Sequence, residues 1–303
     1  MSAAHATQRT RLALAAMLFV PVLWTVNVII ARKAPAMVEP YTLAFGRWMM
    51  AALVLVAFTR RELWAQRAEL VRHWWHFVVL GFFGMLVCGA WVYLAAHTTQ
   101  AMNIALIYVA SPVLIAVGAS LWLGEHLRAA QVVGVVLALA GVVHVVVRGH
   151  WGMLAQVQWV AGDLWMVAAT VAWSAYALLL KYWRSPLGST AQLATIAMGG
   201  ALTLLPGAVW EGLPPGHLPV DLAVLQLMLF AALAPGVVAY WLYGWAQKVL
   251  GANRVAVTMY LNPLYSAVAA YWVLGEPMGM HHLLGAALIL PGVYLVSRSK
   301  SPQ

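Results

Sequence analysis

Apolar residues in this chain run in long unbroken stretches, with polar residues gathered in the short gaps between them. Ten such stretches fit, at about residues 12–31, 41–58, 74–95, 102–123, 129–147, 162–180, 189–210, 221–244, 253–274 and 281–297. Most come close to the roughly 20 residues that carry a helix across a hydrocarbon core about 30 Å thick. The stretches do not alternate apolar with polar, so they predict helices and not the strands of a barrel. The expected fold is an all-α polytopic membrane protein with ten transmembrane helices. No connection is long enough for a soluble module, so residues 1–303 read as a single membrane domain. The first stretch follows Arg9 and Arg11, as a signal peptide would. Arg32-Lys33 follow it in place of a small-residue cleavage site, so it reads as a retained span.

One segment of this pattern occurs twice. Residues 111–127 read SPVLIAVGASLWLGEHL and residues 262–278 read NPLYSAVAAYWVLGEPM. Pro112 pairs with Pro263, Leu123 with Leu274, Gly124 with Gly275 and Glu125 with Glu276, all at an offset of 151 residues. The alignment continues through Gly134/Gly285, Leu137/Leu288 and Gly141/Gly292, giving fourteen identities between 101–142 and 252–293. Trp24 pairs with Trp173 and Arg32 with Lys181 at an offset of 149. The unit is therefore five spans, residues 12–147 and 162–297. An odd unit turns its second copy upside down in the bilayer. Inverted five-helix halves are the layout of many secondary transporters, whose substrate site lies near mid-membrane between the halves.

Charge supports this layout. Only 8% of residues are charged, against about 25% in soluble domains, too few to cover a globule of this size. With the N-terminus in the cytoplasm, thirteen Lys and Arg fall inside: Arg9, Arg11, Arg60, Arg61, Arg67, Arg72, Arg128, Lys181, Arg184, Lys248, Arg254, Arg298 and Lys300. Arg32, Lys33 and Arg148 fall outside, and Arg47 lies within span 2. This positive-inside bias puts both termini in the cytoplasm. The formal charge of +9 thus belongs to loops and does not call for a nucleic-acid partner. Cys88 is the one cysteine, which excludes an intramolecular disulfide and a cysteine-based metal site.

At these residues the chain resembles the EamA-type members of the drug/metabolite transporter superfamily. The features that carry the resemblance begin with Trp24 and Arg32-Lys33 at the end of span 1, and Phe45-Gly46-Arg47-Trp48-Met49-Met50-Ala51-Ala52 in span 2. They continue with the two Pro-to-Leu-Gly-Glu spans, 112–125 and 263–276, and the Gly-x6-Gly spans, 134–141 and 285–292. The resemblance covers essentially the whole chain. It implies ten helices, two inverted halves, and export or exchange of small metabolites without a cofactor, in a bacterial inner (plasma) membrane. The abundance of aromatics looks most like the YddG-type exporters of aromatic and other neutral amino acids. Phenylalanine, tryptophan, tyrosine, threonine and methionine are then the leading substrates, with other small neutral metabolites or drugs as the alternative. The expected partners are amino acids and membrane lipids, with the chain a monomer or loose homodimer.

Polar-tipped aromatics inside the spans are the candidate substrate-binding groups, because they offer ring stacking, hydrogen bonds and an apolar wall together. Trp24 with Asn27, and Trp173 with Tyr176, repeat an i,i+3 pair in spans 1 and 6. Tyr93 and His97 are i,i+4 in span 3, Tyr108 and Ser111 are i,i+3 in span 4, and Tyr240 and Tyr243 are i,i+3 in span 8. Tyr260 and Asn262 precede Pro263 in span 9. Each could instead belong to an interfacial belt, as Trp74, Trp75, Trp151 and Trp159 do at span edges. Pro112, Pro263 and Pro235 are candidate helix bends, either around a cavity or as packing kinks.

Among charges, Arg47 sits roughly 9 Å deep at 1.5 Å per residue. Three readings are open: pairing with Glu276 or helix-end carbonyls, contact with a substrate carboxylate, or snorkelling to headgroups. Glu125 and Glu276 follow glycine stops and are either gates or helix ends. No acid lies in the middle of a span and spans 4, 5, 9 and 10 have no interior Lys or Arg, which favours a neutral or zwitterionic substrate over lipophilic cations or phosphates. No metal-ligand motif occurs. An intramembrane enzyme would need a pair such as Ser111 and His97, and remains the remote alternative.

Overall fold

The computed structural model describes residues 3–34, 37–96, 98–99, 107–108, 110–125, 128–157, 159–213, 219–274 and 279–298. Every regular element among them is helical. In chain order they are α1 (Ala3–Lys33), α2 (Pro40–Ala65), α3 (Arg67–Arg72), α4 (Trp74–Gly81), α5 (Trp91–Ala96), α6 (Ser111–Trp122) and α7 (Ala129–Val146). Then follow α8 (Ala161–Tyr182), α9 (Ser189–Gly212), α10 (Leu222–Ala231), α11 (Ala239–Leu250), α12 (Ala252–Thr258), α13 (Asn262–Leu274) and α14 (Met280–Arg298). A π-helical stretch, Phe82–Ala90, joins α4 to α5, and a second, Ala232–Val238, joins α10 to α11. A 3-10 turn, Met259–Leu261, joins α12 to α13.

Seven helical runs among the described residues are long and apolar enough to cross a membrane: Thr7–Asn27, Pro40–Ala65, Trp74–Ala95, Ala129–Val146, Ala161–Tyr182, Ser189–Gly212 and Leu222–Leu250. Each falls on one of the ten expected stretches. Two more of those stretches appear as shorter apolar helices, Ser111–Trp122 and Met280–Val296. The stretch 253–274 changes helical pitch at the 3-10 turn. The outer surface is apolar, with Leu53, Phe58, Leu121, Val136, Leu164 and Leu202 exposed. That surface suits hydrocarbon and not water.

Carboxylates tie the helices together end to end. Glu211, near the end of α9, accepts from Tyr41 N at 2.9 Å, Thr42 N at 2.7 Å and Thr42 Oγ1 at 3.0 Å, at the start of α2. Glu62, near the end of α2, accepts from Gly188 N at 2.6 Å, just ahead of α9. The two helices thus pack antiparallel, and each caps the other's start. First-turn amides have no acceptor inside their own helix and sit at the positive end of its dipole, so a carboxylate is their natural partner. Glu62 and Glu211 stand 149 residues apart, the offset that relates Trp24 to Trp173.

Glu125 repeats the device. Gly124, at φ 68°, ends α6, and Glu125 N returns to Ala119 O at 3.0 Å. The Glu125 carboxylate accepts from Ala252 N and Asn253 N, each at 3.2 Å, and lies 3.6 Å from Lys181 Nζ. Gly251, at φ 86°, brings the start of α12 against this carboxylate with no side chain in the way. Glu276 and His97 lie outside the described residues.

Small residues bring α7 and α14 together: a Cβ added at Gly134 would stand 2.6 Å from Gly292 O. Pro112 is the second residue of α6, in its first turn. Pro263 directly follows the 3-10 turn within the unbroken helical run 252–274, so the change of helical pitch and the proline coincide. Pro235 lies inside the second π-helical stretch, which rearranges the bonding around it.

Candidate functional site

Five rings converge where α1, α8 and α11 meet. Residues three apart share a helix face, so α1 presents Trp24 with Asn27, α8 presents Trp173 with Tyr176, and α11 presents Tyr240 with Tyr243. Trp24 packs against Trp173 edge-on, centroids 5.3 Å apart, and against Tyr243 at 5.6 Å. Trp173 stacks on Tyr176 at 5.3 Å and meets Tyr243 at 5.1 Å and Tyr240 at 5.7 Å. Tyr176 and Tyr240 lie 5.9 Å apart. Trp48 of α2 extends the cluster, edge-on to Tyr240 at 4.8 Å. Each such pair contributes about 0.5–1.5 kcal/mol beyond its buried area.

The polar tips are only partly satisfied. Tyr240 OH donates to Gly84 O in the first π-helical stretch at 2.8 Å, and Trp173 Nε1 donates to Met259 Sδ at 3.2 Å. Tyr243 OH and Trp48 Nε1 are buried with no hydrogen-bond partner. Gly84 has no side chain for a reason: an added Cβ would stand 2.7 Å from the Tyr176 ring. At Gly89 an added Cβ would meet only Trp48 Nε1, at 3.9 Å, an ordinary contact, so a methyl fits there.

Beside the rings lies a polar group. Arg47 is 4% exposed, and its Nη1 donates to Asn27 Oδ1 at 2.8 Å and to Tyr93 OH at 3.1 Å. Tyr93 OH donates to the same Asn27 oxygen at 3.3 Å. Burial this deep ends the snorkelling reading of Arg47. Tyr93 and Tyr243 stand 150 residues apart, as do Phe82 and Ala232, which begin the two π-helical stretches. Wide helical turns of this kind recur at functional sites.

Tyr108 packs against the same core as the rings, and its OH is 3.8 Å from Cys88 Sγ. The other candidates are less central. Ser111 Oγ faces Ser174 Oγ at 3.4 Å. Tyr260 turns away from the rings into a separate apolar cluster with Val135, Val142, Ile289 and Val293. Asn262 Oδ1 is buried without a partner. Pro112, Pro263 and Glu125 are outside the ring cluster. Trp48 and Met259 touch the rings, yet neither stood among the binding residues read from the sequence. Among the described residues no group of three or more His, Cys, Asp or Glu could hold a metal ion.

Among the described residues, an apolar exterior around an interior of rings and the buried Arg47 defines a polytopic integral membrane protein. The sequence profile of the EamA-like transporter family, within the drug/metabolite transporter superfamily, matches residues 11–147 and again 160–298, and the chain belongs to that family. It is 28% identical over 284 residues to an uncharacterized transporter of Archaeoglobus fulgidus, covering 91% of this chain and 93% of the relative. It is 26% identical to a probable terminal-alkyne amino-acid exporter of Streptantibioticus cattleyicolor, over 64% of this chain and 63% of that one. A solved crystal structure shares the fold with a TM-score of 0.73 and 20% identity, covering 95% of this chain and 96% of the other.

Proposed function

We propose that this chain is a secondary transporter of small neutral or zwitterionic metabolites, chiefly aromatic and other amino acids of the kind carried by YddG-type exporters. It works by alternating access between two inverted five-helix halves. Ten spans with both termini in the cytoplasm of a bacterial inner membrane belong to the same reading, supported by the excess of Lys and Arg in the loops assigned to that side. The observation that carries the reading is the five-ring cluster, contributed by α1 of the first half and by α8 and α11 of the second. Rings with polar tips at the junction of two repeats supply a surface for an aromatic side chain where a transporter of this layout keeps its cargo. The likeness to a probable amino-acid exporter supports the same substrate class. The antiparallel pair α2 and α9, each capping the other, fits halves related by inversion.

The test is counterflow in proteoliposomes. Vesicles preloaded with unlabelled tryptophan, phenylalanine, threonine or glycine are diluted into labelled phenylalanine. Accumulation driven by the aromatic amino acids, weaker with threonine and weakest with glycine, is expected. Flux with no amino acid in either direction would sink the reading.

A further inference from the structure

We infer that Arg47 and Trp48 form a receptor for one carboxylate, the polar end of the transported molecule; the inference rests on the transport reading for what arrives there. The argument begins with unused donors. The guanidinium carries five N–H bonds, and the hydrogen bonds it makes run from Nη1 to two neutral oxygens. Its Nε is buried without a partner, and so is Trp48 Nε1. The two groups are adjacent, with Arg47 Cζ 4.9 Å from the Trp48 ring centroid. Trp48 is 1% exposed, so water does not serve its N–H from the surface.

Charge narrows the ligand. Among the described residues no carboxylate lies within ion-pair distance of Arg47. Glu62, Glu125 and Glu211 cap partner helices, Asp163 and Asp221 cap their own, Glu69 lies 2.9 Å from His73, and Glu39 stands at the start of α2, about two turns from Arg47 along the helix. A buried cation held only by Asn27 and Tyr93 is incompletely compensated, and an anion with two acceptor oxygens satisfies the charge and both idle donors together. The planar carboxylate matches the guanidinium fork. No second Lys or Arg joins this hydrogen-bonded group, so a single negative charge balances it and a phosphate dianion would overshoot. Gly89, which has no side chain, faces Trp48 Nε1, and the Trp48 ring leads to Tyr240 and the ring cluster. A monocarboxylate with an apolar body therefore has its head at Arg47 and its body toward the rings.

The experiment reads binding, separately from transport. The purified chain is melted with 3-phenylpropionate and with its uncharged amide. The acid is expected to raise the melting temperature and the amide to leave it unchanged. Trp48→Phe keeps the ring and removes one N–H, and should weaken the acid's apparent affinity at least about tenfold, since a hydrogen bond to a charged group is lost. Arg47→Gln should abolish the response. An equal response to acid and amide, no response to either, or an undiminished response in Trp48→Phe overturns the receptor. If the acid binds as expected while counterflow fails for every amino acid, the transport reading falls and the receptor stands.

Discussion

Equivalent places in the two repeats carry different chemistry. Trp24 and Trp173 correspond and are alike, but Asn27 corresponds to Tyr176, and Arg47 and Trp48 correspond to Ile196 and Ala197. Tyr93 and its counterpart Tyr243 are the same residue in opposite circumstances. Tyr93 OH is hydrogen-bonded to Arg47 and Asn27, whereas Tyr243 OH is buried with no partner among rings. The backbone repeats, down to its two π-helical stretches, while the side chains divide into a polar group and an aromatic group. On the proposed transport reading, such a division would tell the two ends of a cargo apart.

The largest test of that division is Trp173→Ala. It removes the ring that touches Trp24, Tyr176, Tyr240 and Tyr243. Counterflow should fall to background, and stability should drop by about 3–5 kcal/mol on thermal or chemical melting. Trp173→Phe, which keeps a ring, should recover most of the stability. Counterflow at the wild-type level in the alanine variant would mean that the aromatic group does not touch cargo.

Tyr176→Asn makes the second half chemically like the first at that place. Competition counterflow should show affinity for aromatic amino acids reduced about tenfold, as expected for losing roughly 1.4 kcal/mol of ring contact, with threonine little affected. A uniform loss for all amino acids would erase the distinction between the two groups. A smaller effect separates two glycines of one π-helical stretch. Gly84→Ala drives a methyl against Tyr176 and should cost about 1–3 kcal/mol of stability, while Gly89→Ala has room and should melt close to wild type. Equal melting of the two would contradict the packing. The smallest effect concerns the caps, at about 0.5–2 kcal/mol each. Glu211→Ala should lower the melting temperature more than Glu62→Ala, because Glu211 accepts three hydrogen bonds and Glu62 one, at an exposed amide.

The helices are readable from sequence because in hydrocarbon every backbone polar group must bond within its own segment, so composition alone dictates the conformation. The i,i+3 pairs Trp24/Asn27, Trp173/Tyr176 and Tyr240/Tyr243 are readable because spacing fixes a shared face. Tyr260 shows where that logic stops. It sits in mid-span like the others, but the 3-10 turn advances each residue by about 120° in place of 100°. Met259 therefore faces Trp173, and Tyr260 faces the α7–α14 side. The π-helical stretch Phe82–Ala90 contains no proline and no polar residue, so nothing local announces it. Its contacts are long-range, through Tyr240 to Gly84 O and Tyr176 over Gly84. Trp48 is not legible as a site residue for a related reason: its idle N–H exists only by virtue of long-range surroundings that the local sequence does not encode.

The reciprocal caps of α2 and α9 bear on how the protein is made. The amides of Tyr41 and Thr42 are synthesised well over a hundred residues before Glu211, which accepts from them. Until the second repeat emerges from the ribosome and enters the bilayer, the start of α2 must borrow water or headgroup oxygens. The cap of α2 is thus completed only by the later repeat. The same geometry would serve two separate copies of a half-length chain lying head to tail, each lending its glutamate to the other.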